Sequence, residues 1–292
     1  MIKDLTILIM ARNEERYIEK TLHSLLHPGV IIIVSNNGST DGTTEILDRM
    51  SSEYKNIIHI KRPVHEGHST YYDFGRNMED SLKYIGTKYL MMFRARDILS
   101  ENGLFFLRNR FDEVPAAVGV YPTSIEINPN TQEVLHIFNY PYADKLISKD
   151  PYERTITAIN RGFAHIYYGM YKSTFLIPQL LRIVEDNYPS AENFLLIEMI
   201  AKGYKVVYEP RATQYIMDIQ GSEENDIKKL IKGYMLSDNE IPFLRNKMVK
   251  NTLQTVRELP ISDVEKLKCL REAIKIVNRR WGYIPMQGDY SL

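Results

Sequence analysis

The sequence has few of the features that would place it in a specialised class of protein. Its 292 residues include one cysteine, Cys269, so no disulfide can form within the chain and a disulfide scaffold is excluded. Lysine and arginine together number 37, as do aspartate and glutamate, which leaves a formal net charge of zero. General nucleic-acid binding requires a basic face, so we expect no nucleic-acid partner.

Long apolar segments are also missing. The run Leu5–Met10 is too short for a signal peptide, and Val30–Val34 is far shorter than the roughly 20 residues that cross a bilayer. From these absences we expect a cytoplasmic protein. With 44% hydrophobic and 25% charged residues, the chain has the composition of an ordinary globular protein with a sizeable core.

Short runs rich in β-branched residues alternate with helical patterns in the first hundred residues. Strands are predicted at 5–10, 30–34, 56–60 and 89–93, and helices at 14–26, 44–50 and 70–84. This alternation predicts an α/β fold with a mainly parallel sheet flanked by helices. In such sheets ligands bind beyond the carboxyl ends of the strands, so the loops after Met10, Val34 and Phe93 are the expected site.

The rest of the chain is less regular. Strands are predicted at 116–127, 133–139, 163–168 and 205–208, and helices at 174–187 and 193–202. Residues 140–161 contain two prolines and little periodicity, which favours a long functional loop. After residue 220 amphipathic helices are predicted without any strand. We therefore expect two regions, residues 1–220 and a C-terminal helical region at 221–292.

Polar motifs follow the predicted strands. They read TILIMARNEERYI from Thr6 to Ile18, IVSNNGSTDGT from Ile33 to Thr43, FGRN from Phe74 to Asn77 and LMMFRARDIL from Leu90 to Leu99. In this order and spacing the segments resemble the nucleotide-binding half of family 2 glycosyltransferases, which are inverting enzymes with the GT-A fold. The resemblance covers about residues 3–215 and is strongest before residue 100.

The resemblance implies a fold and a donor site. It implies a GT-A-type, Rossmann-like, mainly parallel sheet in residues 1–220 and a nucleotide-sugar donor. The positions that match the family's base and ribose contacts are Ala11, Asn13, Glu14, Asn36 and Asn37, and Arg76 is expected near the nucleotide or its phosphates. Asparagine amides suit the edge of a base. The alternative is that residues 36–38 only turn the chain and residues 39–43 only cap a helix.

The sequence departs from the family at the end of the fourth strand. The family usually has an Asp-x-Asp signature there, one carboxylate of which holds a divalent metal, whereas this chain reads Arg94-Ala95-Arg96. Two residues apart in an extended strand, the arginines are expected to point to the same side. Guanidinium groups there could stabilise the departing diphosphate in place of the metal.

Three interpretations of the arginines stay open. The donor is bound without a metal; or the arginines only pair with nearby carboxylates, or the donor site has decayed; or Asp97 still helps to bind Mg²⁺ or Mn²⁺. We favour the first and expect no metal site. Arg94, Arg96 and Asp97 are accordingly assigned to the donor site.

A catalytic base is implied by the same resemblance. The family has an Asp at the start of a helix that ends in a glycine before the last core strand, and the position matching it here is Glu192. A carboxylate there would take the proton from the acceptor hydroxyl. The alternative is that Glu192 only begins a helix, where acidic residues are favoured.

These observations predict a glycosyltransferase that moves a sugar from a nucleotide-sugar donor to an acceptor hydroxyl with inversion. A glycan or glycolipid acceptor, in polysaccharide or glycoconjugate synthesis, is implied by the family alone. One alternative is a non-catalytic nucleotide-sugar-binding or scaffolding protein on a decayed transferase fold. A nucleotidyltransferase is a weaker alternative, because the first loop lacks glycines.

The helices predicted after residue 220 have three possible roles. They cap the domain, form an oligomer contact or rest on a membrane surface, and we expect the first.

Overall fold

Strands and helices alternate along the chain as predicted. The computed structural model describes residues 2–63, 70–161, 164–186, 191–217 and 240–281. The strands are β1 (Leu5–Ala11), β2 (Val30–Asn37), β3 (Ile57–Arg62), β4 (Tyr89–Arg94), β5 (Ile98–Leu99), β6 (Ala117–Ile127), β7 (Val134–Phe138), β8 (Met170–Lys172) and β9 (Lys205–Met217). The helices are α1 (Ile18–Leu25), α2 (Thr43–Glu53), α3 (Thr70–Leu82), α4 (Gly103–Glu113), α5 (Ala143–Leu146), α6 (Pro151–Arg161), α7 (Ser173–Asp186), α8 (Ala191–Ala201), α9 (Glu240–Arg257) and α10 (Asp263–Trp281).

All the described strands join one mixed sheet. Its order is β3-β2-β1-β4-β8-β6-β9-β5, and β7 pairs with β6. The strands β3, β2, β1 and β4 are parallel, as are β6 and β9, while β5, β7 and β8 run antiparallel to their neighbours. The carboxyl ends of β1, β2 and β4 therefore lie side by side, and we call this edge of the sheet the crevice.

The core lies on both faces of the sheet because strand side chains alternate. Ile7 and Ile9 of β1 pack into one apolar layer with α1, α2 and α4. Leu8 of β1 faces the opposite layer, which contains side chains of α3, α6, α7 and α8. Strands buried on both sides explain the continuous apolar runs in the sequence.

Two predictions of secondary structure were wrong. The segment 140–161, expected as a loop, contains α5 and α6. Pro151 stands at the first position of α6, where a proline removes no helical hydrogen bond, so it begins the helix. Residues Ala164–Tyr168, expected as part of a strand, form a 3₁₀ helix, and the strand follows as β8.

The tail helices pack on the body of the protein. The helix α9 contacts α8, and α10 contacts α6. Their apolar side chains Leu253, Val256 and Leu270 are buried in the same core as α8. Among the helices of the described residues, none has the length and apolar character needed to cross a bilayer.

Candidate active site

The loops after β1 and β2 are joined to each other. The Asn13 N–H donates to Ser39 Oγ at 3.0 Å, and Asn13 Oδ1 accepts from the Thr40 N–H at 2.8 Å. The Glu14 N–H donates to Thr43 Oγ1 at 2.8 Å. Asn13 has a φ of 57°, a left-handed conformation that asparagine adopts more readily than most residues. We call these two segments, residues 12–17 and 36–42, the asparagine loops.

Asn36 and Asn37 turn much of their amide groups toward the protein. Asn36 is 2% exposed, and its Oδ1 accepts from Ser39 Oγ at 2.6 Å while its Nδ2 donates to Thr44 Oγ1 at 2.9 Å. Asn37 Oδ1 accepts from Asn77 Nδ2 at 2.9 Å. These contacts hold the loop in shape, which is the role that the alternative interpretation assigned to residues 36–38.

Ala11 and Arg76 belong to elements that contact these loops. Ala11 is the last residue of β1 and is buried, paired in register with Asn36. Arg76 is an exposed residue of α3, next to the buried Asn77 that contacts Asn37, and its charge acts on Asp80. Ala11 therefore lies at the carboxyl end of β1, and Arg76 lies in the helix that supports Asn37.

The expected extended geometry of the arginines is not present. The strand β4 ends at Arg94, and the Asp97 N–H donates to the Arg94 carbonyl at 3.2 Å, which closes a turn. We call Arg94–Asp97 the arginine turn. The same-side argument was wrong, because it assumed a strand through Arg96. Both arginines nonetheless act electrostatically on Glu14, so the turn brings them to the same place.

Each arginine of the turn has a carboxylate partner. Arg96 Nη2 bonds to Glu14 Oε1, and Arg94 Nε lies 3.7 Å from Asp97 Oδ2. The two carboxylates are 7% and 0% exposed, respectively. Two cations and two anions thus meet in a partly buried cluster with no net charge, which is the pairing that the second interpretation foresaw.

Burial raises the pKa of both carboxylates. For Glu14 the loss of solvent raises the pKa, and Arg96 opposes the rise. For Asp97 burial also raises the pKa, opposed by Arg94 and by the hydrogen bond from Gln214 Nε2 to Oδ2 at 2.8 Å. The other oxygen, Asp97 Oδ1, is buried and makes no hydrogen bond of ordinary geometry within the described residues.

The donor atoms at Asp97 suit a divalent cation poorly. Mg²⁺ prefers an octahedral set of oxygen ligands, usually including carboxylates that are not otherwise occupied. Here Asp97 contacts Arg94 and Gln214, and Glu14 is bound to Arg96. In the described part of the chain, no three side chains of His, Cys, Asp or Glu are grouped so that they could hold a metal ion.

Glu192 is the second residue of α8. The position is that of the expected base, at the start of a helix that is followed by Gly203 and β9. Its side chain lies outside the described residues. The helix α8 packs against the 3₁₀ helix Ala164–Tyr168, which in turn contacts β4.

The sequence patterns did not reveal an ion pair on the far side of the crevice. Glu126 Oε1 of β6 lies 3.5 Å from His165 Nε2, and this contact lowers the pKa of Glu126. The charge of Arg94 also lowers the pKa of Glu126, and that of His165 lowers the pKa of Asp97, so the pair and the arginine turn interact electrostatically. No motif signalled Glu126, because a lone acid in a strand resembles a solvated one.

The comparisons with known proteins agree with this architecture. A mixed, mostly parallel sheet flanked by helices, with its crevice at the carboxyl ends of β1, β2 and β4, is a GT-A-like α/β fold. The family model described as Glycosyl transferase family 2 matches residues 6–161. The chain therefore belongs to glycosyltransferase family 2. A search of curated protein sequences finds no significant match.

Solved structures of glycosyltransferases share the fold. S. aureus TarS 1–349 in complex with UDP-GlcNAc aligns with a TM-score of 0.65 at 15% identity, covering 97% of this chain and 73% of that chain. A longer TarS structure aligns with a TM-score of 0.63 at 13% identity, and this chain covers 44% of it with 97% of its own length. The mannosyltransferase PcManGT from Pyrobaculum calidifontis, in complex with GDP-Man and Mn²⁺, aligns with a TM-score of 0.56 at 12% identity, covering 96% of this chain and 71% of that chain.

Proposed function

We propose that this protein transfers a sugar from a nucleotide sugar to an acceptor hydroxyl with inversion, and that it does so without a metal ion. The observation that carries the proposal is the arginine turn, which puts two guanidinium groups where the family usually has metal-binding carboxylates. Family membership and the nucleotide-sugar complexes of TarS and PcManGT support the donor class. A glycan or glycolipid acceptor is part of the same proposal.

The donor lies, in this proposal, across the asparagine loops. Its base and ribose contact the region of Ala11, Asn13, Glu14, Asn36 and Asn37, and its diphosphate extends to the arginine turn, with Arg76 on the near side. Because the loops are already joined by hydrogen bonds, little ordering is needed when the nucleotide binds. Preorganised contacts of this kind improve affinity by lowering the entropic cost.

Arg96 is the proposed contact to the diphosphate. A guanidinium has five N–H donors, so Arg96 can bind phosphate oxygens while it keeps one bond to Glu14. Arg94, placed by Asp97, adds a second fixed positive charge. Charge that grows on the departing nucleoside diphosphate is then stabilised by groups that are already in position.

Glu192 is the proposed general base. At the start of α8, it would accept the proton of the acceptor hydroxyl while that oxygen attacks the anomeric carbon from the face opposite the diphosphate.

The residues after 220 are proposed to form a separate helical region that caps the transferase domain, because α9 and α10 pack on α8 and α6.

The first experiment measures thermal stability with a panel of nucleoside diphosphates and nucleotide sugars. Each ligand is tested with Mg²⁺, with Mn²⁺ and with EDTA. We expect one nucleotide class to stabilise the protein equally in all three, and Arg96→Met to remove most of that shift while the exposed Arg271→Met does not. Stabilisation only with metal would contradict metal-free binding, and no stabilisation by any nucleotide would contradict the transferase proposal.

The second experiment replaces the proposed base. The rate measured is the release of nucleoside diphosphate from the sugar donor found in the first experiment, as the sugar is transferred to water or to an acceptor. Glu192→Gln should lower this rate by about 10²–10⁴-fold, the range for general base catalysis. Donor affinity should stay the same, because a base acts on the acceptor. Glu185→Gln, at an exposed position of α7, serves as the control. Turnover close to wild type in Glu192→Gln rules out this base, and binding without turnover in the wild type would favour the non-catalytic alternative.

A further inference from the structure

A small cavity lies beside the arginine turn, where the first asparagine loop ends at Arg16 and Tyr17 and α1 begins. Its volume is about 150 Å³. It is enclosed by the start of α1, by β5, by the turn between β6 and β7 and by the end of β9. The residues that line it are Arg16, Tyr17, Lys20, Arg96, Ile98, Pro129, Gln132 and Met217. Of the proposed donor residues, only Arg96 is among them.

The lining of this cavity is cationic. Among the described residues that line it are three basic side chains, those of Arg16, Lys20 and Arg96, and no acidic one. Arg96 is paired with Glu14. Arg16 donates to Asn130 Oδ1 at 3.0 Å, which is a neutral acceptor, and Lys20 has no ion pair within the described residues. Arg16 and Lys20 are exposed residues, so water solvates their charges, and no carboxylate among the described residues of the cavity neutralises them.

The acidic neighbours of these two cations are engaged elsewhere. Glu15 Oε2 accepts from the Gly42 N–H at 2.7 Å. Glu19 Oε2 lies 2.7 Å from Arg49 Nη2. Neither acid is therefore available to neutralise Arg16 or Lys20 without breaking another contact. An anionic ligand would be attracted to these two charges.

The walls between the charged groups are apolar. Ile98, Pro129 and Met217 provide carbon surface, and Arg16 lies over the Tyr17 ring, 5.3 Å from its centroid. A volume near 150 Å³ admits a group considerably larger than a single water molecule. A ligand that matches both features carries a charged head on a short carbon skeleton.

We propose that this cavity binds a phosphate ester. Guanidinium and ammonium groups recognise phosphate oxygens by charge-assisted hydrogen bonds, with Arg16 and Lys20 at the head and the carbon skeleton against Ile98, Pro129 and Met217. The cavity borders Arg96, so the ester lies next to the proposed donor diphosphate without occupying its place. The proposal does not depend on the proposed transferase reaction.

The test is calorimetric titration with glycerol 3-phosphate, inorganic phosphate and glycerol at constant ionic strength. Each titration is run without nucleotide and again with the nucleoside diphosphate that stabilises the protein. We expect glycerol 3-phosphate to bind more tightly than inorganic phosphate and glycerol not to bind. Lys20→Met and Arg16→Gln should each weaken glycerol 3-phosphate binding by about tenfold, the size of one charge-assisted contact near solvent.

Two matched variants control for nonspecific charge effects. Lys205→Met changes an exposed lysine at the opposite end of β9 from Met217, and Arg271→Gln changes an exposed arginine of α10. Both should bind glycerol 3-phosphate as the wild type does, with or without nucleotide. Circular dichroism confirms that all four variants are folded.

Three results would overturn the proposal. The first is that the wild type does not bind glycerol 3-phosphate, and the second is that both cavity variants bind it as tightly as the wild type. The third is that the nucleoside diphosphate displaces it completely, which would place the anion in the donor site. Inorganic phosphate that binds as tightly as the ester would overturn the role of the apolar wall. If no nucleotide stabilises the protein, the transferase proposal fails, while the titration without nucleotide still decides this one.

Discussion

The two parts of the crevice floor are held together by different forces. The asparagine loops depend largely on neutral hydrogen bonds such as those of Asn13 with Ser39 and Thr40, beside two bonds in which carboxylates of Glu15 and Asp41 accept from backbone N–H groups. The arginine turn depends on charges, with Arg94 beside Asp97 and Arg96 bound to Glu14. Neutral contacts keep their strength across the pH range, whereas ion pairs respond to protonation and to competing anions. The first part is therefore a fixed frame, and the second can exchange partners when an anionic ligand arrives.

The largest effect is expected where a buried charge loses its partner. In Asp97→Asn the amide can still accept from Gln214, but Arg94 loses its counter-ion. We expect a loss of about 3 kcal/mol in the free energy of unfolding, at the low end for a broken buried pair because Arg94 is partly exposed. Urea unfolding at pH 7 measures it.

Asp112→Asn is the control for the loss of a negative charge. Asp112 also pairs with an arginine, Arg108 at 2.9 Å, but on an exposed face of α4, where such pairs contribute little. If Asp97→Asn and Asp112→Asn unfold at the same urea concentration, the arginine turn is no more dependent on charge than the surface, and the comparison is wrong.

A smaller effect is expected in the asparagine loops. Asn37→Ala removes the acceptor of Asn77 Nδ2, and Asn77 is 3% exposed. An unpaired buried amide costs about 1–2 kcal/mol. Because neither amide titrates, the loss in unfolding free energy should be the same at pH 5 and pH 7. A loss that changed strongly with pH would show that these loops are also coupled to charge.

The smallest effect is expected in how the contribution of Glu14 to the free energy of unfolding changes with pH. The folded-state pKa of Glu14 is raised, so the stability that its protonated form contributes is present below the unfolded pKa of about 4.3 and is lost as the pH rises through the folded pKa. Arg96 offsets much of the burial, so the change is modest. Relative to Glu14→Gln, the wild type should lose stability between pH 4 and pH 7.

Chemical denaturation at pH 4, 5.5 and 7 measures this difference. Glu45→Gln is a suitable control, since Glu45 is an exposed acid in the first turn of α2. A wild type that instead gained stability over Glu14→Gln as the pH rose would show that Arg96 outweighs burial. The ion pair would then be a net stabilising contact.

Much of the fold followed from sequence pattern, and the exceptions have physical causes. The apolar runs at β1, β2, β3 and β4 predicted the parallel half of the sheet, because strands buried on both faces need continuous apolar residues. The helix α6 was missed because Pro151 was taken as a sign of a loop, although a proline at the first helical position fits a helix. Local sequence patterns indicate only which secondary structure a segment prefers. Here the packing of α6 against α8 and α10 stabilises the helix.

The candidate site, like the fold, was predicted from the sequence only in part. The order of the motifs placed the loops of the crevice together, since the carboxyl ends of parallel strands meet at one edge. The partner of Arg96 could not be predicted, because Glu14 lies 82 residues before it and nothing local joins them. The predictions for Glu192 and for the donor contacts stay predictions.

The sequence by itself determined the class of fold, the family and the presence of arginines where carboxylates are usual. These properties depend on residue type, spacing and order, which are local or additive along the chain. Only the tertiary structure decided that Arg94 and Arg96 have carboxylate partners, that Asn36 is buried, and that Arg16 and Lys20 meet Arg96 around a cavity. Such contacts depend on distances between segments far apart in the chain, and those distances exist only once the sheet has formed.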